Sequence, residues 1–414
     1  MRILFISENF PPEVNAGAAR TYEHCKEWVK SGAEVIVLTC APNFPQGKVY
    51  HGYKNALLSK EWKEGIKIVR VWTYITRNEG FLRRSLDFFS FAVTSFFAGL
   101  FFKVDIVIAT SPQFFPTLSA FALSKFKKIP WVFELRDLWP ESIKAVGAMK
   151  DGPVIKFLEK VEHFLYRDAT HIVAVTKAFK NNLVKRGISE SKISIVTNGV
   201  DLSRFSPRQK DEALLKKYKL DQHFIIGYIG THGMAHGLEL IVDWLDKIND
   251  AKIHFLFIGD GARKREVASL VRKKNLLNII LLDPIPKEDV PRFMSILDVA
   301  LVPLIKSDTF KTVIPSKIFE AAAMRKPVLL GVEGIAKEIV ESYGAGICFE
   351  PENEADFIRK ITSLKLDPQV YRKAQIGCEK LAADFDRKKL ALDMFKCIEK
   401  VVNDSVSRTK MTLR

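Results

Sequence analysis

The chain has 414 residues, of which 64 are Lys or Arg and 48 Asp or Glu, giving a net charge of +16. An apolar content of 47% is enough for real cores and excludes a disordered chain, and the length suits two domains better than one. The positive excess favours anionic partners such as phosphates or an anionic membrane surface; no dense Lys/Arg block or nucleic-acid signature is present to single out DNA or RNA. Residues 1–204 hold 29 basic and 19 acidic side chains and the remainder 35 and 29, so the first half carries more of the excess. Five scattered cysteines without a CxxC argue against a disulfide framework or a zinc site and fit a reducing cytosol.

Short β-branched runs alternate with amphipathic stretches from the start. "RILFIS" reads as a buried first strand, its apolar run too short for a signal peptide. In the loop behind it, "ENFPPEVNAGAAR", Pro11 and Pro12 stiffen the backbone and Gly17 permits a close approach. A helix expected from Ala18 offers free N–H groups to an anion. Arg20 falls in its first turn, where a cation opposes the helix dipole unless an anion lies nearby. "EVIVLT" and "IKIVRVW" follow as strands. Next comes "FFSFAVTSFFAGLFF" (Phe88 to Phe102), seven phenylalanines in fifteen residues, inside a helix expected over about 82–103. Those fifteen residues span roughly 22 Å as a helix, short of the ~30 Å hydrocarbon core. Flanked by Arg83, Arg84 and Lys103, the segment is either an in-plane membrane-docking helix or a helix buried in the first domain; the lack of a polar face favours docking.

"VDIVIATS", "WVFELRD", "HIVAVT" and "KISIVTN" complete the first series of strands. Arg136 and Asp137 close one of them, as an ordinary salt bridge or as two side chains in a ligand cleft. Asn198 and Gly199 form a turn after the last. The series pauses in "NGVDLSRFSPRQKDEALLKKYKLD", which puts a domain boundary near 203–207. It restarts with "HFIIGYIG", "IHFLFIGDG", "NIILLD", "VALVPL" and "PVLLGV". The expected fold class is therefore α/β, with two Rossmann-like, doubly wound parallel sheets facing across a cleft and ligands beyond the carboxyl ends of the strands.

Gly230, Gly233 and Met234 lie in a flexible loop, "GTHGMAHG", whose backbone amides form a plausible diphosphate cradle. His232 and His236 read as surface histidines rather than ligands. Gly259 starts a second Gly-rich turn at the same edge. In "TVIPSKIFEAAAMRKPVLLG", Pro315 and Ser316 are helix-start signals, Ser316 a candidate cap. Lys317 follows in the first turn, electrostatically misplaced unless it faces an anion. Glu320 stands one turn deeper on nearly the same face, where a carboxylate can accept hydrogen bonds from two vicinal ribose hydroxyls. The bland alternative is an i,i+3 salt bridge on a solvated face. No DxD motif and no cluster with metal spacing occurs, so cations and helix termini would have to take the charge of a departing diphosphate.

"PPEVNAGAAR", "TNGVDLSRFSP", "FIGDGARK", "ALVPL…PSKIFEAAAMRKPVL" and "GAGICFEPEN" come in the order and spacing of the family 4 glycosyltransferases, which the chain resembles over nearly its whole length. "LRDLWPES" with "IPSKIFE" is most similar to the subgroup that adds N-acetyl-L-fucosamine or similar deoxy-amino sugars to bacterial surface polysaccharides. The resemblance implies the GT-B fold: an acceptor-binding domain over 1–203, a nucleotide-sugar domain over 204–384, and a closing segment, 385–414, that crosses back to the first. It implies transfer with retention. Glu320 matches the second Glu of the family's E-x7-E motif and should hold the ribose, and Gly17 should approach the diphosphate. Three positions depart. The first Glu of that motif falls at Thr312, the Arg…Lys pair after the second domain's first strand is absent, and Arg136 replaces a cleft His. Lys317, with Arg20 or Arg136, is then expected to supply the missing charge.

The expected activity is transfer of a sugar, an N-acetylated deoxyhexose, from a UDP-sugar co-substrate to an undecaprenyl-diphosphate-linked or similar lipid-linked saccharide. The work would take place at the inner face of the cytoplasmic membrane, peripherally bound, without metal or nucleic acid. Two rivals stand: a UDP-sugar 2-epimerase of the same fold, and a non-catalytic nucleotide-sugar-binding scaffold.

Overall fold

The β-branched runs fold as strands of two separate sheets in the computed structural model, which describes residues 1–13, 15–44, 46–76, 81–111, 115–141 and 152–412. The chain divides into two units, Met1–Asn198 with the segment from Arg387, and Gly199–Asp386. The division falls ahead of the expected 203–207. Val200 is already buried in the second unit, where it bridges Asp386 and donates its N–H to the Phe385 carbonyl at 3.0 Å.

The first unit holds β1 (Arg2–Ile6), β2 (Glu34–Cys40), β3 (Leu58–Lys63), β4 (Ile66–Val71), β5 (Ile106–Thr110), β6 (Trp131–Leu135), β7 (His171–Ala174) and β8 (Ile193–Ile195). Their order is β3-β4-β2-β1-β5-β6-β7-β8, parallel throughout except for β3 against β4. The chain winds outward in both directions from β1, which pairs with β2 through Ile3↔Val35 and with β5 through Ile3↔Ile106. That reversal puts a crevice at the carboxyl ends of β1 and β5. The second unit holds β9 (Phe224–Ile229), β10 (Ile253–Ile258), β11 (Ile279–Leu282), β12 (Val299–Pro303), β13 (Val328–Gly331) and β14 (Gly346–Cys348), all parallel, in the order β11-β10-β9-β12-β13-β14. Its reversal lies between β9 and β12.

Every residue of β5, β6 and β12 is buried, as parallel strands covered on both faces require. In β6 this buries a carboxylate, Glu134, which Arg20 neutralises: Nε donates to Glu134 Oε1 at 2.8 Å. The same guanidinium donates to the carbonyls of Thr197 (2.6 Å) and Val196 (2.9 Å) and to Asn198 Oδ1 (3.3 Å), tying the end of the last strand to the sheet. Burial alone would raise the Glu134 pKa; Arg20 and Arg136 outweigh it and hold the carboxyl below its ordinary value. The expectation that Arg20 serves an anion at a helix start is therefore corrected. Its helix runs Ala16–Lys30, Asn15 caps it by accepting the Ala18 N–H at 2.8 Å, and Arg20 lies beyond the first turn with its donors used by the fold.

The Phe-rich helix, Phe81–Leu100, buries one face in the first unit and exposes the other. Phe88, Phe91, Ala92, Ser95 and Ala98 are buried, while Leu86, Phe89, Val93 and Phe97 form an exposed stripe that continues to Phe101, 84% exposed. Among the described residues no helix is long and apolar enough to cross a membrane. The last helix, Arg387–Thr412, packs on Ala16–Lys30: Arg387 pairs with Glu23, the Ala391 carbonyl accepts the Trp28 indole N–H at 2.8 Å, and Phe395 stacks on Trp28.

Arg20→Ala leaves Glu134 buried and unpaired, and the expected loss is about 3–5 kcal/mol of stability in the first unit. Urea denaturation followed by tryptophan fluorescence measures it, since Trp244 alone of the six tryptophans lies in the second unit.

Candidate active site

At the carboxyl end of β9 the chain turns through Gly230 to Gly237, and the short helix Lys317–Ala323 points its start at the same edge. Lys317 Nζ donates to the Tyr228 hydroxyl at 3.1 Å and lies 4.5 Å from the ring centroid. That hydroxyl in turn donates to the Thr231 carbonyl at 2.6 Å. Gly230, at φ +148°, makes the arrangement possible: a Cβ there would come 2.4 Å from Lys317 Cε and 2.7 Å from Nζ. Gly259 brings the end of β10 against it, with no room for a side chain because its Cβ would fall 1.8 Å from the Gly230 carbonyl oxygen. Among the described residues no carboxylate lies within ion-pairing distance of Lys317 Nζ. Burial pulls its pKa down to about 8, against the upward pull of Glu320. Glu320 is half-buried in the next turn.

The two histidines of this loop correct the sequence reading. His232 has no exposed surface, and neither ring nitrogen has a partner. His236 is half-buried with Nδ1 unpartnered. Both rings stand edge-on to Tyr228, at 5.8 and 5.7 Å. Burial, reinforced by Lys264 for His232 and by Lys317 for His236, lowers each to about 4, so both are neutral near pH 7. The sequence carried a signal for this cluster: an aromatic two residues before the strand-end glycine, then two histidines flanking Gly233. Gly233 itself is extended, and Met234 is exposed in a one-turn helix that ends at His236.

Elsewhere at this edge the expected start signals act differently. Ser316 adopts helical backbone angles and its side chain makes no cap hydrogen bond, so it is not the cap; its carbonyl accepts the Glu320 N–H at 3.3 Å, and the Pro315 carbonyl that of Ile318 at 3.1 Å. Thr312 closes a one-turn helix, its hydroxyl donating to the Thr309 carbonyl at 2.9 Å.

In the first unit, Gly17, Arg136, Asp137 and Asn198 gather beyond the ends of β1, β6 and β8. Ser111, just past β5, accepts the N–H groups of Arg136 (2.7 Å) and Asp137 (3.3 Å) on one hydroxyl. A Cβ on Gly17 would meet Arg136 Nη1 at 2.8 Å, so this glycine makes room for a guanidinium.

The fold agrees with what the chain resembles. Residues 17–204 match the model described as Glycosyltransferase Family 4, and residues 210–379 that described as Glycosyl transferases group 1, together most of the chain. The chain is a family 4 glycosyltransferase. WcaI of Escherichia coli K12, assigned to colanic acid biosynthesis as a glycosyl transferase, is 25% identical over 89% of this transferase and 93% of its own length. Among solved structures, HepE of Anabaena in complex with UDP superposes with a TM-score of 0.71, at 15% identity over 97% of this chain and 100% of its own. Sucrose-phosphate synthase of Thermosynechococcus elongatus gives 0.75, at 17% identity over 97% and 99%. Both likenesses show the two-sheet GT-B fold.

Because the Lys317 pKa is lower folded than unfolded, the unfolded chain binds more protons between pH 8 and 10.5, and stability should rise across that window. Lys317→Met is expected to remove the share of that rise due to Lys317 and to stabilise the protein at pH 7 by roughly 2–3 kcal/mol. Urea denaturation of both proteins across pH isolates the effect; Lys326, also held at about 8 by burial, contributes equally to each.

Proposed function

We propose that this transferase moves a sugar from a UDP-linked donor to a lipid-linked saccharide during synthesis of a surface polysaccharide. The observation that carries the reading is Lys317: a desolvated ammonium, unpaired with any described carboxylate, at the reversal of a parallel sheet. An ammonium in that state is stabilised by an anion, and a diphosphate supplies one. The N–H groups of Gly230 and His232 are taken by the carbonyls of Ile258 (2.9 Å) and Asp260 (2.8 Å), so Lys317, His236 and the amides of Thr231, Gly233 and Met234 receive the diphosphate, and Glu320 the ribose hydroxyls. UDP in the HepE structure and the assignment of WcaI to colanic acid support the donor and the product class. In the retaining reaction, the acceptor oxygen bonds to the anomeric carbon on the face from which the diphosphate departs, and its proton passes to a diphosphate oxygen. The charges invoked need no divalent ion. The donor sugar is an N-acetylated deoxyhexose such as N-acetyl-L-fucosamine.

The acceptor side of the reading rests on the exposed stripe Leu86, Phe89, Val93, Phe97 and Phe101. Lys67 stands 5.1 Å over Phe102 and 5.9 Å over Trp62, itself 69% exposed, and Lys103 and Lys127 border the stripe's end. Apolar rings rimmed by cations suit the interface of an anionic membrane, and peripheral binding there brings the enzyme to a lipid-linked acceptor.

Purified protein incubated with a panel of UDP-sugars and lipid-linked acceptor, read by mass spectrometry, should yield extended acceptor and UDP, at equal rates in EDTA and in magnesium. Donor epimerised without acceptor would establish the epimerase instead, and binding without turnover the scaffold. Phe89→Glu with Phe97→Glu should abolish sedimentation with phosphatidylglycerol vesicles at an unchanged melting temperature. Wild-type protein that stays in the supernatant would remove the membrane from the proposal.

A further inference from the structure

Among the described residues, Arg136 is the one strongly basic side chain at the carboxyl edge of β1, β5 and β6 that makes no hydrogen bond or ion pair through its guanidinium. Its Nε is buried without a partner. The neighbouring charges do not bind it. Glu134 is held by Arg20 at 2.8 Å, and Asp137, next in sequence, acts on it only through its field. His24, the other titratable side chain of the adjoining helix face, is buried and driven neutral by burial and by Arg20. Burial also pulls the guanidinium's own pKa below the usual value, while Glu134 raises it. Space is reserved for it: with any residue larger than glycine at 17, a Cβ would lie 2.8 Å from Nη1 and 3.4 Å from Nη2.

A half-buried, planar donor fork whose Nε is enclosed without a partner is matched by a carboxylate or phosphate oxygen pair. Charge narrows the match. The Arg20–Glu134 pair is neutral and Asp137, which acts on Arg136 only through its field, has an interaction of its own; at bonding distance the single charge of Arg136 is therefore unmatched, and it is best compensated by one of equal magnitude. A diphosphate would over-compensate it. We propose that Arg136 is a specificity residue that reads a singly charged oxyanion, a sugar carboxylate or a phosphodiester, on a substrate held by the first unit. The inference rests on the transferase reading and adds a substrate class to it: sugars or carriers with an acidic group.

The test uses the full chain as wild type, Arg136→Gln, Arg136→Lys and Gly17→Ala. Calorimetric titration with glucuronate, glucose, dimethyl phosphate and inorganic pyrophosphate needs no turnover, so it judges the site even if no transfer is found. Glucuronate bound at least tenfold more tightly than glucose, with the advantage lost in Arg136→Gln and Gly17→Ala and partly kept in Arg136→Lys, assigns a carboxylate. The same pattern with dimethyl phosphate assigns a phosphodiester. Pyrophosphate as the tightest Arg136-dependent probe, or no difference between glucuronate and glucose with no binding of dimethyl phosphate, overturns the proposal. Where transfer is established, kcat/KM for acceptors with intact against reduced carboxyl groups gives the second readout. Arg136→Gln should erase a preference for the acidic acceptor; an equal fall for acidic and neutral acceptors would mark Arg136 as merely structural.

Discussion

Lys317 rests its ammonium on the ring and hydroxyl of a buried tyrosine, and the carboxyl edge of the second sheet is shaped around that contact. Cation–π attraction and one neutral hydrogen bond offset only part of the cost of desolvating an ammonium. The remainder is why its pKa drops to about 8. Two glycines are required next to it, Gly230 because Lys317 fills the space of a side chain and Gly259 because the Gly230 carbonyl does. The histidines beside Tyr228 stay uncharged, burial and the nearby lysines both opposing protonation. The partly compensated ammonium and the unpartnered ring nitrogens of His232 and His236 make this edge costly to fold, a departure from full satisfaction that clusters at functional sites.

The first unit solves a similar problem twice, with opposite results. Arg20 and Arg136 both stand near Glu134, but only Arg20 bonds to it, and it takes two strand-end carbonyls as well. One arginine is thereby consumed in holding β8 to the sheet. The other is kept from relaxing toward a partner by its place between Ser111, which receives its backbone N–H, and Gly17. What separates the two cations is the number of acceptors within reach, a property of tertiary packing.

That distinction explains what could be read from the sequence. The buried parallel strands were legible because continuous β-branched runs have few other uses. β3 was not, since "LSKEWK" is a mostly exposed antiparallel edge with no apolar run, and β14 is only three residues long. Lys317 and Glu320 stood out because charges in an apolar, alanine-rich helix contradict its pattern. Arg20 drew the opposite error: its place near a helix start suggested an anion, and its true partners lie more than a hundred residues away along the chain. His232 was taken for a surface residue because nothing local reveals that Gly259 and Gly261 pack their bare backbones against it. The Phe-rich helix offered two readings as alternatives, and the helix has two faces.

The closing helix imposes an order on synthesis. Met394, Phe395, Ile398 and Val401 belong to the same core cluster as β1 and Trp28, so the apolar face they cover is open until they arrive. The entire second unit is translated in between. At 5–20 residues per second that interval lasts roughly ten to forty seconds, during which a nearly complete first unit carries a bare hydrophobic groove on the ribosome. Pausing or truncation after the second unit would release a chain whose second unit can fold while the first still lacks the helix that completes its core.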